Sequence, residues 1–116
     1  MREITLWHNP RCSKSRDAFK YVEEKALEMN VRKYLEETPS KEEIESLLVK
    51  LGCGARELMR TKESIYKELD LTHEDSEEKL IEAMVAHPKL IERPIVIKGD
   101  RAVIGRPFER VIALLG

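Results

Sequence analysis

The stretch that decides the fold is ITLWHNPRCSKSRDAF, residues 4–19. Its first part continues an alternation of polar and apolar residues, which predicts a β-strand, and Asn9-Pro10 ends that strand. Its second part opens a helical stripe of apolar residues. Cys12 lies where the predicted strand gives way to the predicted helix. The alternating residues of the strand are Glu3, Ile4, Thr5 and Leu6.

The remaining pattern predicts the order β-α-β, a helical stretch, then β-β-α. The first helix is expected from residue 14 to about residue 29, followed by a strand at about 31–35. Ser40 and Glu43 predict a capping box that opens a helix ending at Gly52, and residues 55–71 predict one or two shorter helices. Asp75 with Glu78 predicts the cap of another helix, which runs to Pro88. The apolar stripe of the first helix is Ala18, Tyr21, Val22, Leu27 and Met29.

The last quarter of the chain predicts a hairpin and a closing helix. PIVIKGDRAVIG, residues 94–105, contains two apolar runs joined at Lys98-Gly99-Asp100. RPFERVIALLG, residues 106–116, predicts a helix with Pro107 near its first turn. The whole order indicates an α/β domain of the thioredoxin-like plan over residues 1–116, with a helical insertion at about 40–75.

Composition excludes several classes of function. The chain has 116 residues, 41% hydrophobic and 37% charged, with a net charge of −1. This balance disfavours proteins that bind nucleic acid or membranes through bulk electrostatics. No apolar run reaches the length of a membrane span, and the N-terminus lacks a signal-peptide pattern, so we expect a soluble cytoplasmic protein. Its two cysteines are expected to be thiols.

Cys12 is the strongest candidate for chemistry. Free N–H groups and the helix dipole at the start of a helix favour thiolate over thiol. An ordinary cysteine with a pKa of about 8.5 is only about 3% ionised at pH 7, whereas helix N-termini and cationic neighbours lower this pKa to roughly 3.5–7.5. The four basic neighbours that would add positive charge are His8, Arg11, Lys14 and Arg16. The alternative to a reactive thiolate is a buried cysteine with a purely structural role.

Spacing restricts the chemistry further. Ser15 stands where a C-x-x-C motif has its second cysteine, so dithiol exchange within this motif is excluded. Ala18 stands where a phosphatase loop has its arginine. The cysteines and histidines show no metal-ligand spacing. The residues therefore favour a single thiol that attacks a substrate and needs an outside thiol for release.

Three motifs together resemble the glutaredoxin-dependent arsenate reductase family. They are H-N-P-x-C-x-x-S-R at residues 8–16, HPKLIERPIVI at 87–97 and GRP at 105–107. The resemblance covers nearly the whole chain in the right order. It implies a thioredoxin-like fold with an inserted helical subdomain, and a cis peptide bond before Pro94.

The resemblance also implies the residues of the site and the reaction. Cys12 would be the nucleophile, and Arg60, Arg93 and Arg106 would bind the oxyanion. Guanidinium groups suit a tetrahedral oxyanion because each can fork two N–H donors onto its oxygens. Arsenate would be reduced to arsenite, with glutathione as co-substrate and glutaredoxin as partner. No tightly bound cofactor and no metal is implied.

Other residues keep two readings. His8 either lowers the thiol pKa, as a cation or through a hydrogen bond, or holds the Asn9-Pro10 turn. Ser15 either donates a hydrogen bond to the thiolate or faces solvent. His87 is best read as a helix-end cap, and Cys53 as a small loop or core residue.

Two rival functions remain open. Relatives of the same fold include Spx-type regulators, which bind RNA polymerase and use a cysteine pair as a redox switch. Ser15 removes that pair, which leaves a non-enzymatic adaptor possible. The other rival is a thiol-dependent reductase of another substrate. The combination of Cys12, Arg60, Arg93 and Arg106 favours oxyanion chemistry over both.

Overall fold

The computed structural model describes residues 4–25 and 28–116, which form two compact units. The first unit comprises the chain up to Glu37 together with Arg93–Gly116, and it contains the β-sheet. The second unit, Thr38–Glu92, is helical. The insertion expected at about 40–75 falls within this helical unit. The expectation of one domain over residues 1–116 stays a prediction.

The sheet has four strands: β1 (Ile4–Trp7), β2 (Met29–Arg32), β3 (Ile95–Lys98) and β4 (Arg101–Ile104). Their order is β2-β1-β3-β4, with β1 parallel to β2 and antiparallel to β3, and β3 antiparallel to β4. A parallel pair needs a crossover connection, whereas an antiparallel pair can be joined by a tight turn. The helix between β1 and β2 and the hairpin of β3 and β4 meet these two needs. The predicted α/β, thioredoxin-like fold is therefore confirmed.

Helix α1 (Ser13–Glu24) makes the crossover and is shorter than predicted. The N–H of Lys25 closes its last turn on the carbonyls of Tyr21 and Val22. Met29 does not extend the helix, because it pairs with Ile4 at the start of β2. An apolar residue at this position fits a helical stripe and a strand equally well, and pairing with β1 decides between them.

The second predicted strand is correspondingly displaced. It was expected at about 31–35, but β2 begins two residues earlier and ends at Arg32. Glu3 and Leu27, which the pattern assigned to the first strand and the first helix, lie outside the described residues.

The core of the sheet unit is aliphatic. Residues of β1, β3, α1 and the last helix, α6 (Glu109–Leu115), form one buried cluster. Burial of such side chains stabilises the fold by roughly 1.5–3 kcal/mol each. The packing holds the start of α1 beside the carboxyl end of β1. The cluster consists of Ile4, Leu6, Ala18, Val22, Val96, Val111 and Leu114.

The helical unit begins as the capping signals predict. Ser40 accepts a hydrogen bond from the N–H of Glu43, and the Glu43 carboxylate accepts one from the N–H of Ser40, so the capping box is confirmed. Gly52 ends this helix with φ of 71°, a left-handed conformation that glycine adopts at little cost. The helices are α2 (Lys41–Leu51), α3 (Ala55–Leu58), α4 (Ser64–Glu68) and α5 (Glu77–Ala86), with 3₁₀ turns at Leu71–His73 and Pro88–Leu90.

The cap of α5 corrects one prediction. Asp75 was expected at this position, but Ser76 is the N-cap residue, and its hydroxyl accepts a hydrogen bond from the N–H of Lys79. His87 is the C-cap of α5, in agreement with its reading as a helix-end residue. Among the described residues, no helix combines the length and the apolar character that crossing a membrane requires.

Two loops of the sheet unit are tied together where the functional motifs lie. The N–H of Gly105 donates to the carbonyl of Pro94 at 2.7 Å. A Cβ atom at Gly105 would come within 2.7 Å of Pro94 Cγ and 3.0 Å of Val111 Cγ2. Only glycine leaves room for this approach between the end of β4 and the start of β3.

We predict that Gly105→Ser lowers the free energy of unfolding by roughly 1–3 kcal/mol, the usual cost of overpacking. Urea denaturation measures it. Gly54→Ser is the matched control, because a Cβ there meets nothing closer than 3.6 Å and serine is a good N-cap residue. Equal effects of the two substitutions would contradict the close approach at Gly105.

Candidate active site

Cys12 is the N-cap residue of α1, directly after the turn that follows β1. Its own N–H donates to the carbonyl of Asn9 at 3.0 Å, and its carbonyl accepts from the N–H of Arg16 at 3.0 Å. The side chain is 7% exposed. The first turn of α1 carries no acidic residue, so no carboxylate there opposes a negative charge on the sulfur.

Several donors converge on this sulfur. Burial raises the pKa of the Cys12 thiol, but the N–H of Ser15, the guanidinium of Arg93 and the N–H of Lys14 together lower it further than burial raises it. The net pKa therefore lies below the ordinary value for cysteine. The Nη2 atom of Arg106 lies 3.5 Å from Sγ and adds a second guanidinium beside it. This arrangement favours the thiolate.

The two arginines reach the sulfur from different loops that hydrogen bonds hold together. Arg106 Nε donates to the carbonyl of Arg93 at 2.9 Å, while its Nη2 faces Cys12. The peptide bonds Arg93-Pro94 and Arg106-Pro107 are both cis, the first as the resemblance implied. Arg93 Nε is buried and lacks a hydrogen-bond partner among the described residues.

His8 and Ser15 form a buried pair. His8 Nδ1 lies 2.7 Å from Ser15 Oγ, and the two residues are 7% and 0% exposed. Burial, with the positive charges of Lys33 and Arg16, lowers the pKa of His8, so its imidazole is neutral at neutral pH. Its ring also stacks on Phe19 at 5.3 Å between ring centroids.

This pair bears on the open readings of both residues. His8 does not act on Cys12 as a cation, because its burial favours the neutral ring. The Ser15 hydroxyl is occupied by His8 and by the N–H of Asn9, which donates to Oγ at 3.0 Å. Ser15 instead reaches the sulfur through its backbone N–H.

The basic neighbours in sequence also act differently from the expectation. Lys14 contributes its backbone N–H to the thiolate, and Arg16 Nη1 donates to the carbonyl of Pro10 at 2.9 Å. The charges at the sulfur come from Arg93 and Arg106, which are distant in sequence.

Asn9 is the residue that sequence reasoning missed. Its carbonyl accepts from the N–H of Cys12, its Oδ1 accepts from the N–H of Arg11 at 3.1 Å, and its N–H donates to Ser15. These contacts fix the turn that carries the thiol. The signal was present, since asparagine side chains form such turns with the backbone two residues on.

Arg60 and Cys53 both lie in the helical unit. Arg60 Nη1 lies 3.0 Å from Glu63 Oε2, and its Nε lies 3.6 Å from Glu92 Oε1. Its part in binding an oxyanion stays a prediction. Burial and the carboxylates of Glu57 and Glu77 raise the pKa of the Cys53 thiol, which favours its neutral form.

No group of three or more His, Cys, Asp or Glu side chains suited to a metal ion occurs in the part of the chain that the structure describes.

The sequence and the fold of this chain are similar to those of known proteins. The sequence model of the ArsC family matches residues 7–114. The chain is similar to the uncharacterized protein YfgD of Escherichia coli, with 48% identity over 99% of this chain and 98% of that protein. It is 44% identical to an arsenate reductase of Neisseria meningitidis, over 99% of this chain and all of that one. The solved structure of an arsenate reductase from Vibrio cholerae superposes with a TM-score of 0.93, at 45% identity over 97% of each chain.

We predict that iodoacetamide modifies Cys12 faster than Cys53 at pH 7, and that Cys12 has the lower alkylation pKa. Exposure alone predicts the opposite order, because Cys12 is buried and Cys53 is half-buried. Rates over a pH series, read for each cysteine by mass spectrometry, test this. An alkylation pKa for Cys12 at or above about 8.5, the ordinary value, would contradict an activated thiol.

We predict a pH-dependent loss of stability that depends on His8. Its pKa is lowered in the folded state, so between that pKa and about 6.5 the unfolded chain binds more protons. Stability from this residue is full above about pH 6.5 and is lost as pH falls through the folded pKa. Urea denaturation at pH 5 and 7.5 should show a smaller difference for His8→Asn than for the wild type. Equal differences would show that His8 titrates normally.

Proposed function

Since this chain belongs to the ArsC family, we propose that it reduces arsenate to arsenite at Cys12, with glutathione and glutaredoxin as external reductants. The observation that carries the proposal is the convergence of Arg93 and Arg106 on a cysteine whose pKa is lowered. A thiolate supplies the nucleophile, and guanidinium groups supply the charge that an oxyanion requires.

The two arginines serve both substrate binding and the chemical step. Arsenate carries one to two negative charges near neutral pH, so it and a thiolate repel each other in the absence of cations. Arg93 has a buried Nε without a partner among the described residues, and Arg106 is exposed. Their remaining donors are available to oxyanion oxygens and stabilise the charge that develops during attack.

The reaction begins when the Cys12 sulfur attacks arsenic. An S–As bond forms and one oxygen departs as hydroxide, which takes up a proton to become water, while arsenic remains As(V). The glutathione sulfur then displaces a second oxygen in the same way. This leaves arsenic bonded to two sulfurs.

Reduction requires the third thiol. The glutaredoxin thiolate attacks the glutathione sulfur, an S–S bond forms, and the electron pair of the broken S–As bond stays on arsenic, which becomes As(III). Water then cleaves the remaining bond between Cys12 and arsenic and releases arsenite. The sum is H₃AsO₄ + 2 RSH → H₃AsO₃ + RSSR + H₂O, with two electrons transferred from the two thiols.

External thiols are needed because the motif does not contain its own resolving cysteine. Ser15 occupies that position and is fully buried in its pair with His8. The other cysteine, Cys53, lies in the helical unit with a raised pKa.

We assign Arg60 to the oxyanion as well, on the strength of the family resemblance. Two of its N–H groups face the carboxylates of Glu63 and Glu92, and a guanidinium has five donors. The donors that remain suffice for one forked contact with an oxyanion.

The test is a coupled assay that contains arsenate, glutathione, glutaredoxin and a reductase couple, followed by NADPH consumption. We expect arsenate-dependent turnover that is abolished in Cys12→Ser. Arg106→Gln should reduce kcat/KM roughly 10–100-fold, the effect of losing a hydrogen bond to a charged group. Arg110→Gln, which removes an exposed arginine of α6, is the matched control and should change little.

Absence of an arsenate-dependent rate in the wild type, while the helper enzymes are shown to work, would contradict the proposed reaction. Full activity in Cys12→Ser would contradict the assignment of the nucleophile.

A further inference from the structure

Beyond the two arginines at the sulfur, the sheet unit carries a group of exposed basic side chains near the thiol loop, which is the connection between β1 and α1 at residues 8–12. Arg11 precedes Cys12, Lys14 lies in the first turn of α1, and Arg16 reaches back to the carbonyl of Pro10. The basic rim defined here consists of Arg11, Lys14, Arg16 and Lys33.

The sheet brings Lys33 to the same end of the unit. The N–H of His8 donates to the carbonyl of Arg32 at 2.7 Å, so the chain leaving β2 lies beside the chain leaving β1. Lys33 is the next residue and is exposed. The positive charges of Lys33 and Arg16 both lower the pKa of His8, as expected from their positions beside it.

The positive charges of the rim are unpaired in the part of the chain that the structure describes. Among the described residues, no carboxylate lies within ion-pair distance of any rim side chain. Of the nearest acids in sequence, Asp17 lines a surface groove with Glu24 and Phe108. Glu36 and Glu37 form no ion pair with Lys33. Unpaired charges of one sign raise the local concentration of anions of the opposite sign.

The proposed reaction creates a need for such a surface. After the first step, Cys12 carries an anionic arsenic group held by Arg93 and Arg106, and an anionic thiolate must still approach it. Glutathione has two carboxylates outside its thiol, and these are not part of the reacting group. Positively charged side chains that lie next to the reaction site, but do not contact the Cys12 sulfur, are suited to bind these carboxylates.

We propose that the basic rim binds the carboxylates of the small anionic thiol that attacks the arsenic adduct on Cys12. This inference rests on the proposed function for its ligand. Arg16 and Lys33 are the central residues, because one is anchored on the thiol loop and the other stands at the end of the neighbouring strand. Binding is electrostatic and adds no chemical step.

The first test does not require arsenate turnover. Alkylation rates of Cys12 are measured with anionic iodoacetate and with neutral iodoacetamide, and their ratio is compared between proteins. We expect the ratio to fall about tenfold in the double variant Arg16→Gln/Lys33→Gln, since steering of anions by charge is of this order. The iodoacetamide rate should change little, because the variant leaves Arg93, Arg106 and the backbone donors in place.

Two controls accompany this measurement. The double variant Arg110→Gln/Lys67→Gln removes the same types and number of exposed charges and should leave the ratio unchanged. Cys53, which lies by Glu57 and Glu77, serves as an internal control, and its ratio should be the same in all proteins. An unchanged Cys12 ratio in the rim variant would overturn the proposal.

The second test identifies the ligand in the coupled assay. In the rim variant the KM for glutathione should rise about tenfold, whereas the KM for arsenate stays near that of the wild type. Glutathione diethyl ester, whose carboxylates are blocked, should show no such difference between the two proteins.

Equal shifts for glutathione and its ester would overturn the carboxylate contact. A raised KM for glutaredoxin with an unchanged KM for glutathione would overturn the proposal in favour of a protein partner. If the ratio of alkylation rates falls but the wild type shows no arsenate turnover, the rim binds anions and the proposed function fails separately.

Discussion

The arrangement around Cys12 depends on stabilising a negative charge on a sulfur that is largely shielded from water. Burial alone favours the neutral thiol, and an ion that leaves bulk solvent must recover its hydration from fixed donors. The N–H groups of Ser15 and Lys14 and the guanidinium of Arg93 provide that replacement. The geometry of the loop must hold these donors in place before any substrate arrives.

The neutral pair of His8 and Ser15 helps to hold the loop before α1 in a fixed conformation. Ser15 Oγ joins His8 to the N–H of Asn9, and Asn9 in turn accepts the N–H of Cys12. Hydrogen bonds that link buried side chains to the backbone in this way favour one conformation of the turn. Arg93 and Arg106 supply the two charges from neighbouring loops at the same end of the sheet, because Trp7 at the end of β1 pairs with Ile95, and Ile95 pairs with Ile104 at the end of β4.

The fold could be predicted further from the sequence than the site. Alternation, capping residues and the Lys98-Gly99-Asp100 turn have local causes, so the hairpin, the Ser40 cap and the end of α2 at Gly52 follow from neighbouring residues. The predicted boundary between α1 and β2 was wrong because Met29 fits both the helical and the strand repeat of apolar residues. Its pairing with Ile4 in the sheet, which decides between them, is not a local interaction. Asp75 was wrong for a similar reason: two adjacent residues could cap α5, and only the backbone geometry selects Ser76.

In the site, residue identity was more predictable than chemical role. Cys12, Arg93 and Arg106 come together because the sheet places three loops side by side, which the motifs could indicate only through a family resemblance. His8 and Ser15 kept two readings each, since sequence spacing does not show which atom faces the sulfur. Burial of the pair redirects the histidine to the serine hydroxyl and leaves a backbone N–H for the thiolate.

The lowered pKa of Cys12 also affects how readily its sulfur is released from a covalent bond. A sulfur whose anion is stabilised is the better leaving group, because the bond that it must give up breaks towards the same stabilised charge. The donors that prepare it to attack therefore also limit how long it stays bonded. A bond from this sulfur to an electrophile would accordingly be easier to displace than the same bond from an ordinary cysteine.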